Sequence, residues 1–75
     1  MDRQITDPKE VGRRLVKLRG IRTRVGVSRE TGISLPSLTA YERGERTPRG
    51  PVKEKLASYY GVSVEEIFFA RQNNG

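Results

Sequence analysis

Reactive side chains are scarce in this sequence, and the scarcity narrows its chemistry. It contains no cysteine and no histidine. Disulfides, thiolate zinc sites and catalytic thiols are therefore excluded, along with the commonest metal ligand and general base near neutral pH. Asp2 and Asp7 are the aspartates, and neither pairs with a nearby glutamate at a spacing suited to acid–base catalysis. The expectation is a protein that is not an enzyme and uses no cofactor, metal or small-molecule ligand. Arginine, by contrast, is abundant. Fifteen Lys and Arg face nine Asp and Glu, for a net charge of +6, and eleven of the fifteen are Arg. The guanidinium fork matches phosphate geometry, so this bias favours a polyanionic partner over a merely solubilising surface.

One stretch sets these charges around an unusual helix. In "GISLPSLTAYERGERTP", residues 32–48, Ser34 stands where a cap belongs, and Leu38 and Tyr41 follow one turn apart. The opposite arc carries Pro36, Thr39, Ala40 and Arg43, with Leu35 and Ser37 at its edges. If this helix reads something, it does so with few hydrogen-bonding groups.

Seventy-five residues make one small domain. The spacing predicts five helices to hold that stretch in place. Asp7 caps the first, with Pro8 at its first position and Glu10 closing a capping box. Val11, Leu15 and Leu18 recur along it, and Gly20 ends it. A second helix runs from a Thr23 cap to Thr31 with Val27 inward and Gly32 as its stop; Gly26 predicts that it is weak without packing. The third spans about 34–43. "GERTPRGP" is a loop of breakers and arginines. Pro51 opens the fourth, with Val52, Leu56, Tyr59 and Tyr60 at helical spacing, ending at Gly61. Ser63 and Glu66 form a second capping box, opening a fifth helix that carries Val64, Ile67 and Phe68. Residues 1–6 read as a flexible polar arm, 7–69 as the domain, and 70–75 as a polar tail. No segment approaches membrane length and none at the start is apolar, so the expected location is cytoplasmic.

The tight junction at Gly32 and Ile33 makes the second and third helices a helix-turn-helix pattern. With it, "VGRRLVKLRG", "VSRETGIS", "SLTAYERGERTPR" and "KLASYYGVSVEEIF" resemble, in order, the segments of the Cro/lambda-repressor-like (XRE-type) helix-turn-helix family, from Val11 to Phe68. The resemblance implies a compact all-α five-helix bundle. It implies transcriptional regulation, with members often acting as dimers on DNA operators. Two departures stand out. The link between helices one and two is about two residues shorter than in the commoner pattern. Where that pattern begins its second helix Ser/Thr-Gln-Glu-Glu, with a small alanine after the core aliphatic residue, this one reads Thr23-Arg24-Val25-Gly26 with Ser28 after Val27. Arg24 thus stands where a glutamine often contacts phosphate, and Gly26 and Ser28 are expected to weaken the helix.

The resemblance also distributes roles. Leu35, Pro36, Thr39 and Ala40 occupy the positions from which family members read bases. Arg19 and Glu42 match a partly buried structural ion pair, which suits a carboxylate near Leu38 on the inward side. Phosphate contacts are expected from Thr23 and Arg24 at the start of helix two, Ser34 and Ser37 at the start of helix three, and Arg43, Arg46 and Arg49 beyond it. Arg13, Arg14 and Lys17 on the first helix are weaker phosphate candidates, with general surface charge as the alternative. Phe69 either folds over its own domain or forms a dimer contact. The expected function is a sequence-specific double-stranded-DNA-binding regulator, a repressor, acting as a homodimer on an inverted repeat. The alternatives are a protein-interaction module on the same scaffold, antitoxin-like or accessory, and nonspecific nucleic-acid binding through the arginines.

Overall fold

A computed structural model describes residues 7–69; the expected N-terminal arm and polar tail lie outside the described residues. Its order is α1 (Pro8–Arg19), α2 (Arg24–Thr31), α3 (Leu35–Glu42), α4 (Gly50–Tyr60) and α5 (Val64–Phe68). This is the expected all-α five-helix bundle.

Local chemistry sets most of the boundaries. The Thr23 hydroxyl accepts the Gly26 N–H at 2.9 Å, and the Ser34 hydroxyl accepts that of Ser37 at 3.2 Å. At α5 the box closes both ways: Ser63 Oγ accepts from Glu66 N, and Glu66 Oε2 accepts from Ser63 N. Each cap satisfies a donor that the helix itself leaves open. α1 departs from expectation. Asp7 accepts the Lys9 N–H at 3.2 Å, but Glu10 does not close a box with it. Its carboxylate instead takes Arg13 Nη2 at 2.7 Å and Arg14 Nε at 3.3 Å. Charged donors one turn along outcompete a neutral backbone N–H.

The α2–α3 turn is tied more firmly than its sequence suggests. Gly32 adopts φ 78°, the left-handed conformation that reverses the chain. Ser28 Oγ donates to the Ile33 carbonyl at 2.6 Å. Thr31 Oγ1 donates to Val27 O and accepts from Ile33 N. Ser28, expected to weaken α2, therefore secures its exit.

The core joins Val11, Leu15, Val27, Ile33, Leu38, Tyr41, Leu56, Ala57, Ile67 and Phe68. Leu15, Leu56 and Phe68 are among its fully buried side chains, each contributing about 1.5–3 kcal/mol of hydrophobic stabilisation. α3 lies across α1, and α5 closes over α1 and α4. The α1–α3 crossing is so close that a Cβ at Gly12 would sit 2.3 Å from the Glu42 carbonyl oxygen. Only a residue without a side chain fits there, and that fit sets how far α3 stands from the body of the domain.

Candidate nucleic-acid interface

Two helix starts meet at one shallow groove. Thr23, Arg24 and Val25 from α2 line it with Leu35 and Thr39 from α3. The α1–α2 link completes it, with Ile21 fully exposed at its tip. The short link is held in shape by Arg19, whose carbonyl accepts from Arg22 N at 3.0 Å and whose Nη1 donates to Arg22 O at 2.8 Å. Of the residues expected to read bases, Leu35 and Thr39 border this groove and Pro36 and Ala40 do not; of those expected to hold phosphate, Thr23 and Arg24 border it, while Ser34, Ser37, Arg43, Arg46 and Arg49 lie outside it.

Within α3, Leu35 and Pro36 are exposed, and Thr39 and Ala40 are half-buried at the helix flank. Leu38, Tyr41 and Glu42 fill the opposite side. The two serines of the first turn bond each other, with 2.9 Å between hydroxyl oxygens, and Arg46 Nη2 donates to Ser37 Oγ at 3.0 Å. The Arg46 guanidinium also lies 5.6 Å from the centre of the Tyr41 ring, a cation–π distance. Arg46 is therefore drawn back from its loop onto the start of α3. Arg43 is exposed and sits 3.4 Å from Glu45, a pair that water screens. Arg49 is the exposed N-cap residue of α4, with no side-chain capping bond.

Glu42 holds both Arg19, at 2.8 Å, and Arg24, at 2.7 Å. Its hydrogen bond holds the Arg19 guanidinium more firmly protonated than usual. Arg24, read from sequence as a phosphate contact, thus has an internal partner as well. Phe69 is half-buried and packs against the core, with Lys53 Nζ 5.8 Å from its ring centre.

Arg14 corrects the surface-charge reading. Its Nη1 donates to the carbonyls of Glu66, Ile67 and Phe69 at 3.0–3.2 Å, closing the C-terminal end of α5. Its place beside Val11 and Leu18 on the helical wheel is the signal that it would be drawn inward. Arg22 is a second residue that sequence reading missed. It lies 5.6 Å and 5.8 Å from the ring centres of Tyr59 and Tyr60. Burial, then the nearby Glu42 charge, pushes the Tyr60 phenol up to about 12. The Tyr59 hydroxyl donates to Glu30, which raises its pKa too.

Among the described residues, no cluster of acidic side chains is arranged to hold a metal ion, and no helix is long and apolar enough to cross a membrane. No curated protein and no solved structure matches the chain significantly. Residues 10–67 match the helix-turn-helix domain family. Well over half the sequence is covered, including α2, the Gly32 turn and α3, and the chain belongs to that family.

Proposed function

We propose that this protein is a sequence-specific double-stranded-DNA-binding transcriptional regulator, a repressor, working in the cytoplasm as a homodimer on an inverted repeat. The first turns of α3 enter the major groove. Leu35, Pro36, Thr39 and Ala40 face base edges, while Thr23, Arg24, Ser34, Ser37, Arg43, Arg46 and Arg49 hold the flanking phosphates. The observation that carries this reading is the shared groove: Thr23 and Arg24 border it together with Leu35 and Thr39. A helix-turn-helix domain suggests DNA as the partner, and the net charge of +6 fits one.

The chemistry of α3 sets the mode of reading. Leu35, Pro36 and Ala40 carry no side-chain donor, so their counterpart in the major groove is the thymine methyl group. Each correct pair then contributes near the low end of about 1–3 kcal/mol, and groove shape adds to specificity. The four arginines give a salt slope of about −3.6 per protomer. Binding to randomised duplex DNA, followed by sequencing of the retained fraction, tests the reading. An enriched inverted repeat with half-sites about 34 Å apart is expected. No enrichment at moderate salt would overturn it in favour of nonspecific binding or a protein partner.

A further inference from the structure

Glu42 is a buried charge, its side chain 3 % exposed. A carboxylate removed from water requires strong partners, and this one has two. Oε2 accepts from Arg19 Nε at 2.8 Å; Oε1 accepts from Arg19 Nη2 at 3.1 Å and from Arg24 Nε at 2.7 Å. All three Arg19 guanidinium nitrogens are engaged within the domain, since its Nη1 donates to Arg22 O. Arg24 is different. Only its Nε is engaged, and neither terminal nitrogen has an acceptor among the described residues. No buried side-chain nitrogen among the described residues lacks a partner, so these two nitrogens are open to solvent, on a side chain 37 % exposed. Two guanidinium charges on one carboxylate leave a surplus of +1. Arg24 also borders the groove lined by Thr23, Leu35 and Thr39.

We propose that Glu42 is a positioning residue for DNA binding: it clamps Arg24 through Nε so that the terminal nitrogens of the same guanidinium are held ready for a backbone phosphate beside the α3 groove. The inference rests on the DNA-binding reading. An arginine already fixed at one edge loses less freedom when a phosphate arrives at the other, and the planar fork can serve two acceptors in two directions. Glu42 belongs to α3 and Arg24 to α2, so the clamp also ties the phosphate contact to the position of the base-reading helix.

Simple electrostatics makes the opposite prediction, which gives the test its sign. Removing a carboxylate from a DNA-facing region raises net charge and should strengthen binding. The clamp requires that Glu42→Gln weaken it. A random-sequence 20-bp duplex is the probe, titrated at low salt against the full-length protein, with circular dichroism monitoring folding. Arg24→Ala is expected to weaken binding about tenfold in the parent but less than threefold in the Glu42→Gln background, where Arg24 is no longer held. Equal losses in the two backgrounds would overturn the clamp while leaving DNA binding intact. If Glu42→Gln does not fold, Arg24→Lys decides. It keeps the charge and leaves the Arg19 bonds in place but has no second nitrogen. Binding closer to that of Arg24→Ala than to the parent is expected; binding closer to the parent overturns the clamp. A parent that binds no duplex at low salt overturns the DNA-binding reading, and the clamp with it.

Discussion

Replacing Gly12 with alanine sets two effects against each other, and the structure says which wins. Alanine is the better helix former by about 1 kcal/mol, so a sequence argument expects the change to stabilise α1. The added methyl, however, would stand 2.3 Å from Glu42 O, 2.9 Å from Glu42 C and 3.0 Å from Tyr41 O. All three are backbone atoms of α3, so no rotamer change relieves the overlap. Restoring ordinary contact, about 3.5 Å, means parting the helices by about 1 Å. Overpacking of this kind costs about 1–3 kcal/mol, and a backbone obstacle places it at the upper end. After the propensity gain, the net loss is about 2 kcal/mol. At about 4–8 °C per kcal/mol for a domain of this size, the midpoint falls by about 8–16 °C. Gly26→Ala is the internal control. It has a similar propensity gain, and its Cβ would meet the Thr23 hydroxyl at 3.1 Å, a side-chain atom that can give by a few tenths of an ångström where the α3 backbone cannot, so its midpoint should fall far less than that of Gly12→Ala. Thermal melts followed by circular dichroism compare the two. A Gly12→Ala midpoint at or above the parent would refute the reasoning, because the α1–α3 crossing would then have room that the close approach of the two backbones denies.

Other expectations concern binding and stability separately. Arg46→Ala and Arg49→Ala should each weaken all duplexes alike and reduce the salt slope of log K by about 0.9; a changed sequence preference at constant slope would contradict a phosphate role. Once an operator is known, uracil in place of thymine should weaken binding at two or more half-site positions; unchanged affinity at every site would rule out methyl reading by Leu35, Pro36 and Ala40. Arg14→Ala removes a charged donor from the α5 carbonyls and should cost about 1.5–3 kcal/mol, seen as a lower urea midpoint; an unchanged midpoint would return Arg14 to the solvated surface. For Tyr60 the folded-state pKa is raised, so its contribution is fully present below the unfolded value of 10.0 and is lost as pH rises through about 12. Tyrosinate absorbance compared with that of Tyr60→Phe should show the Tyr60 phenol ionising late, with a fall in stability across that window; a Tyr60 phenol that ionises near 10.0 in the folded state would refute its burial.

Helix ends were legible because their chemistry is local. Thr23, Ser34 and Ser63 each meet a backbone N–H three residues on, and such a bond forms in any chain that turns helical there. The glycines at positions 20, 32, 44 and 61, where helices end, all have positive φ, a conformation strongly disfavoured by a side chain. The core positions followed from apolar spacing for the same reason, since periodicity fixes a face before it fixes a neighbour. Glu10 shows the limit of local reading: two local partners competed, and the arginines one turn on prevailed over the cap. Longer-range assignments depended on how the helices cross. Arg14 bonds carbonyls 52 to 55 residues away, and Arg24 finds Glu42 at a separation of 18. Nothing in the composition around either arginine names its acceptor. An ion pair or a carbonyl cap over such a separation exists only once packed helices bring the two groups within about 3 Å. Gly12 is the extreme case. Read locally it is a flaw in α1, and only the passage of the α3 backbone across it makes the missing side chain a requirement.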